Sequence, residues 1–347
     1  MKGTISALLS LSLLLTAVIA SAQFVKSKDL EKLKKRTRII IVKEVPDRSV
    51  VKQLRHLSSA KAEEYKQAIK QLNLDFPEAV RQFWNVDGIT ATVEQRTIKE
   101  IEKLRKQNDR NSIVMDVQSL HVKPSKSRYA RSAQTYTENL SWQHDAKDLS
   151  VPVINMYFIE NDVTRPFYIQ NMSERFPDYL DLAVGVRLAT YVFSEHVDDR
   201  AAKSMMQSTS KHNAVFMKDR TLLLCNNWLD EDFQKSKAGT DYPYPIKYVE
   251  YEELADFFRK DGFAGTVMAY VPAGVFSTFD KNTPSMEVHV PVVIDPINGM
   301  PLCHTDISDE MFQAWGYSLI PKMAKSIVGF RKIRNEDILN FAKSMKE

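Results

Sequence analysis

The chain has 347 residues, 44% of them hydrophobic and 27% charged, with a formal net charge of +4. That length and apolar content suffice for one large or two medium domains with cores of their own, and the charge is too mild for a nucleic-acid-binding polyelectrolyte. Two cysteines exclude a disulfide-framed small module, and only 10 glycines argue against phosphate-cradling loops.

The N-terminus reads as a secretory leader over residues 1–22. Lys2 supplies a short positive region, Leu9 to Ile19 an apolar region, and Ala20-Ser21-Ala22 a small-residue cleavage site before Gln23. No later stretch approaches the roughly 20 apolar residues needed to cross a bilayer. The expected location is therefore the periplasm or the exterior, with no transmembrane span in the mature chain. Residues 23–35 form a basic arm, and Lys32, Lys34, Lys35, Arg36 and Arg38 are its candidate contacts with an envelope protein, an anionic lipid surface or a polysaccharide. A plain solvated amphipathic arm is the alternative. No nucleic-acid partner is expected.

A first α/β unit is expected over residues 36–120. The β-branched run Ile39 to Val42 reads as a buried strand. Val50 to Leu72 reads as one or two amphipathic helices. Asp75 is expected to cap a further helix with Pro77 in its first turn, which runs on to the Phe83-Trp84 pair. The strand ITATV, a helix capped by Thr97 with Ile98, Ile101 and Leu104 inward, and the strand SIVMDV complete a β-α-β-α-β unit, released from its last helix at Asn108 and Asp109. Residues 121–150 are polar, rich in serine and locally basic, and read as a linker or surface loop with a short strand.

Residues 151–347 are expected to form a second α/β region. VPVINMYFIE has strand character, and Asp178 to His196 an apolar helical stripe whose end carries Glu195, His196, Asp198 and Asp199. A helix over Arg200 to Ser208, a hairpin of NAVFMKD with TLLLCN turning at Lys218 and Asp219, and a short helix in WLDEDFQKSKAG follow. Ile246 to Val271 then gives strand, helix and strand in close succession, in the same order as Ile89 to Val117, and the two stretches read as internal repeats. In SMEVHVPVVIDPINGMPL the residues Met286, Val288 and Val290 alternate with polar ones, and Asn298-Gly299 favours a tight reversal, so a C-terminal β-hairpin is expected. Helices over Ile307 to Ile320 and after Asn335 close the chain. The fold class is thus α/β, with tandem β-α-β-containing units, mixed sheets and a C-terminal hairpin plus helices.

No nucleophile elbow, Walker loop, dinucleotide turn or zinc helix is present, and no cofactor is expected. The residues with the most chemistry lie between 287 and 306. His289, Cys303, His304 and Asp306 are candidates for a catalytic Cys/His site, and Glu287, His289 and Asp295 for metal ligation. The competing reading makes them strand-surface groups around a small structural cysteine. Cys225, behind Leu222 to Leu224, reads as a core side chain, and whether it pairs with Cys303 is left open by the sequence.

The leader ending SAQ, the RIIIV strand, the FW pair, the units ITATVEQRTIKEIEKL and IKYVEYEELADFF, and VVIDPINGM together resemble exported proteins of unknown function from the Bacteroidetes, over most of residues 36–330. The resemblance implies a periplasmic or cell-envelope α/β protein and carries over no catalytic residues. The leading functional expectation is a noncatalytic envelope protein that acts as a macromolecular binding or assembly scaffold. Its alternative is a secreted hydrolase with a Cys/His or metal-dependent site near 287–306.

Overall fold

The computed structural model describes residues 27–86, 91–122, 131–135, 149–160, 166–173, 177–195, 213–260, 262–276, 286–289, 291–304 and 332–346. The leader, Asp198 and Asp199, the helix expected over Arg200 to Ser208, Asp306 and the helix expected over Ile307 to Ile320 lie outside them. The chain divides near residue 200 into two compact units.

In the first unit a short helix α1 (Ser27–Leu33) leads into β1 (Arg38–Val42). Helices α2 (Arg48–Leu57) and α3 (Ser59–Phe83) connect β1 to β2 (Thr92–Arg96), and α4 (Ile98–Lys106) connects β2 to β3 (Ser112–Val122). Then come β4 (Arg131–Thr135), β5 (Leu149–Phe158), β6 (Tyr168–Asn171) and α5 (Tyr179–Ser194). The sheet order is β2-β1-β3-β5-β6, with β4 on the far end of β3. β1 pairs in parallel with β2 and β3, while β5 and β6 add on antiparallel. The Ile39–Val42 run has no polar position because this central parallel strand is buried on both faces.

Helices cover both faces. Ile101 and Leu104 of α4 pack on Ile40, Val42, Val114, Tyr157 and Ile159. On the other face α5 lies so close that a Cβ on Gly185 would fall 2.8 Å from Ile154 Cδ1. There α5 also meets α3, through Tyr179 against Phe83, Arg187 4.2 Å above the Phe83 ring, and Thr190 Oγ1 donating to the Phe83 carbonyl at 3.3 Å. The cap of α4 is the one expected: Thr97 Oγ1 accepts from Glu100 N–H, Glu100 returns the bond to Thr97 N–H, and Asn108 ends the turn at φ 57°.

The cap expected at Asp75 is not formed. One 25-residue helix runs through Asp75 and Pro77 to Phe83, with Asp75 accepting from Gln71 Nε2 at 2.9 Å. Proline has no N–H to give the carbonyl four residues back, which here belongs to Asn73. That carbonyl accepts instead from Gln95 Nε2 at 2.7 Å. The Asn73 side chain binds Glu44 twice, its Oδ1 accepting from Glu44 N–H at 2.9 Å and its Nδ2 donating to Glu44 C=O at 2.8 Å. The proline is tolerated because a neighbouring strand satisfies the group it releases.

The second unit holds the strands β7 (Thr221–Cys225), β8 (Ile246–Val249), β9 (Thr266–Tyr270), β10 (Ala273–Phe276), β11 (Met286–His289), β12 (Val292–Ile294) and β13 (Pro301–His304). Its helices are α6 (Lys235–Asp241), α7 (Tyr251–Lys260) and α8 (Asn335–Ser344). The sheet order is β8-β7-β9-β12-β13, with β10 and β11 paired apart from it. β7 is parallel to β8 and β9, and β12 and β13 are antiparallel additions. The expected hairpin at Lys218 and Asp219 is replaced by a 3-10 helix, Ala214–Met217, that turns into β7. The β12–β13 hairpin is as expected: Gly299 adopts φ 77°, its N–H reaches Asp295 C=O at 2.8 Å, and Asn298 Oδ1 accepts from Met300 N–H at 2.9 Å. Asn335 opens α8 while exchanging two hydrogen bonds with the backbone of Gln234, which ties this helix to the start of α6.

The two sheets share one topology. Each has a first strand flanked in parallel by the second and third, then two antiparallel strands beside the third, a small β insertion between third and fourth, and a closing helix. The repeats expected at Ile89 to Val117 and Ile246 to Val271 are the second strand, following helix and third strand of each copy. The boundary differs from the expected one. β5, β6 and α5, expected in a region starting at 151, belong to the first unit, because β5 pairs with β3 over its whole length. Replacing Asn73 with alanine leaves both peptide groups of Glu44 without their partner. We expect a loss of about 2 kcal/mol, measured as a lower urea midpoint.

Candidate functional site

In open α/β sheets a crevice opens beyond the carboxyl ends of neighbouring parallel strands whose connections leave in opposite directions. The first sheet has that arrangement at β1 and β3. Glu44 lies just past β1, on the face of Ile40 and Val42, while Asp116 and Gln118 follow Val114 on β3. Asn155 of β5 stands directly opposite Asp116 in the register. All four side chains are buried.

Their hydrogen bonds have a fixed polarity. Asp116 Oδ2 accepts from Gln118 Nε2 at 2.6 Å, so Gln118 Oε1 is turned to accept from Asn155 Nδ2 at 2.8 Å. Asn155 Oδ1, at the end of this chain, has no hydrogen-bond partner, and neither do Glu44 Oε1 and Asp116 Oδ1. Burial, with the charge of Asp116 and a hydrogen bond to it, holds the Glu44 carboxyl far above the usual range. Burial raises Asp116 as well, while its bonds from Gln118 and Glu44 oppose the rise. Both shifts run in the direction that favours one proton held between the two carboxyl groups. Burial is the first cause raising the Tyr157 phenol, and the charge of Asp116 adds to it; Tyr65 of α3 accepts from Asp47 N–H at 3.1 Å.

The second sheet lacks these groups. Arg38, Thr92 and Ser112 are aligned across the first sheet as Leu222, Ile246 and Val267 are across the second. Counting forward, Glu44 and Asp116 correspond to Trp228 and Val271, and Asn155 corresponds to Pro291 when the β9–β12 register is extended by one residue. One copy of the module carries a polar site and the other an apolar plug.

The residues singled out from the sequence are placed differently. Cys303 is buried on β13 with its Sγ 3.3 Å from Met217 Sδ, and burial drives its thiol up, opposite to what a nucleophile needs. Cys225 is likewise pushed up, to about 11, first by burial, and both cysteines are free thiols. Asp295 is held by Arg220 Nη1 at 2.7 Å and caps its own turn through Ile297 N–H at 2.9 Å. His304 follows Cys303 on β13, whereas Glu287 and His289 are on β11 in the separate two-stranded sheet. The side chains of Glu287, His289 and His304 are outside the described residues, as are His196 and Asp306.

Of the basic candidates, Arg36 is buried, bonded to Glu160 at 2.5 Å and stacked 5.0 Å above Phe158. Arg38 pairs with Asp109 and, at 3.2 Å, with Glu94. The two arginines hold the sheet to its neighbours and offer no free charge to a partner. Lys32, Lys34 and Lys35 remain exposed. Among the described residues no three His, Cys, Asp or Glu side chains converge as a metal-binding group, and no helix is long and apolar enough to cross a membrane.

No family model matches the chain. Comparisons with curated proteins and with solved structures likewise give no match.

Two outcomes are expected. Because the Glu44 pKa is higher in the folded chain than in the unfolded one, its contribution to stability is complete below the usual carboxylate range. It is lost as pH rises from there through the folded value. Thermal melting of the wild type should therefore fall by several degrees from pH 5 to pH 9, and Glu44→Gln, which mimics the protonated acid, should flatten that fall. Neither Cys225 nor Cys303 should react quickly with a thiol reagent in the native protein, and both should react after unfolding.

Proposed function

We propose that the chain is an exported, noncatalytic protein of the cell envelope that binds another envelope protein, with the carboxyl rim of its first sheet as the contact surface. The observation that carries this reading is the exposure of Val45 (61%), Leu74 (57%) and Ile98 (48%). Single exposed apolar side chains are ordinary. These three flank one interlock: Val45 follows Glu44, Leu74 follows Asn73, and Ile98 opens α4 just beyond Gln95. Lys43 N–H donating to Arg96 C=O at 2.8 Å holds the first and last of these segments side by side. A group of apolar side chains on a rigid, hydrogen-bonded rim suits the centre of a protein interface.

The same geometry favours a protein partner over an anionic lipid or polysaccharide, because two of the five basic candidates, Arg36 and Arg38, are ion-paired within the fold. Export rests on the leader-like N-terminus and on the resemblance to exported proteins. The hydrolase reading has less support, since Cys303 is a buried, deactivated thiol and Asp295 is bound to Arg220.

The test compares the wild type with the double variant Val45→Asp, Leu74→Asp in envelope extracts of the source organism. The wild type should sediment in a complex larger than the chain itself. The variant, with unchanged circular dichroism, should sediment as the free chain, and equal sedimentation of the two would remove the rim from the account.

A further inference from the structure

The buried polar chain on the first sheet ends in oxygen atoms only. Asp116 can only accept, which turns the Gln118 amide one way and the Asn155 amide after it. Asn155 is 0% exposed, and its Oδ1 is left facing no donor. A buried carbonyl oxygen without a partner carries a desolvation cost of about 1–3 kcal/mol. One proton shared by Glu44 and Asp116 satisfies those two carboxyl groups and does nothing for Asn155. A cation placed among Glu44 Oε1, Asp116 Oδ1 and Asn155 Oδ1 would satisfy all three. Asp116 and Asn155 are opposite one another in the register, where Cβ atoms stand about 5 Å apart, and Glu44 already reaches Asp116.

We propose that Glu44, Asp116 and Asn155 form a site for a hard divalent cation. The donor set is two carboxylates and an amide oxygen, with no nitrogen or sulfur, which selects the calcium, magnesium and manganese class over zinc or copper. Binding gives the ion two carboxylate ligands and one neutral oxygen, and any proton on the two carboxyl groups leaves to solvent. Asn73 takes part as a positioning residue, since its two bonds to the Glu44 backbone fix where that carboxyl group can lie. The second sheet gives an internal contrast, because Trp228, Val271 and Pro291 at the corresponding positions offer no side-chain oxygen.

Equilibrium dialysis of the full chain against calcium, magnesium and manganese chloride, separately at pH 7.5, tests the site. The wild type should take up about one ion per chain with a dissociation constant on the order of 10⁻⁴ M, and melt roughly 5 °C higher in hundredfold excess of the ion that fits. Glu44→Gln, Asp116→Asn and Asn155→Leu should each weaken uptake at least about tenfold. Glu44→Gln keeps a hydrogen-bond donor toward Asp116 and is the variant least open to a folding failure, which circular dichroism checks for all three. Absence of uptake of all three ions up to about 10 mM, well above that range, would overturn the proposal and leave a trapped water as the partner of Asn155. Uptake by the wild type that is unchanged in all three variants would overturn it too, as adventitious surface binding.

Discussion

The side chain of Asn73 and its main-chain carbonyl hold the carboxyl end of the first sheet together. Pro77 leaves that carbonyl without a helical donor, Gln95 of β2 supplies one, and the Asn73 amide grips both peptide groups of Glu44. One turn of one helix thereby fixes the ends of two strands. Without it Glu44 would lie in a free loop, and a solvated carboxyl there would have no reason to keep its proton. With it the carboxyl is pressed under the sheet against Asp116, and burial decides its protonation. The exposed Val45 and Leu74 are each the next residue after this interlock, so the rigidity of the rim and the chemistry beneath it have the same origin.

The two sheets share a strand order and differ in what their corresponding positions hold. Both sheets arrange five strands in the same order with the same directions. In the second unit the position reached by the same count carries Trp228, edge-on to Tyr270 with ring centroids 5.6 Å apart. In the first unit the same place holds two acids and two amides.

Much of this architecture was legible in the residues. The β-branched Ile39–Val42 run, the Thr97 cap and the Asn298-Gly299 reversal are local signals, and each forms where it was expected. The strand, helix and strand order of the stretches beginning at Ile89 and Ile246 was legible in the same way. The module boundary was hidden, because β5 follows a polar stretch that looks like a linker, while its partner β3 lies about thirty residues earlier in sequence. Pro77 misled for a related reason: proline reads as a helix start when the donor that rescues the helix, Gln95, comes from another element. The acid pair leaves no local signature, because Glu44 and Asp116 are single acids far apart in sequence. The signal was present in their phase, each an ionisable residue two places beyond a buried aliphatic on the same strand face, Val42 and Val114. Residues 287–306 carry the denser local signal, with histidine, cysteine and acid close in sequence, but Cys303 is buried in the core and Asp295 is held by Arg220.

The central claim is that the carboxyl end of the first sheet holds a buried acid pair that retains a proton at neutral pH. Carbon-13 NMR of side-chain carboxyl groups, followed from pH 3 to pH 10 in the ion-free protein, reads this directly. The account predicts a resonance, absent in Glu44→Gln, that titrates well above the usual carboxylate range. Titration of every carboxyl group within the ordinary range, about pH 3 to 5, would contradict it.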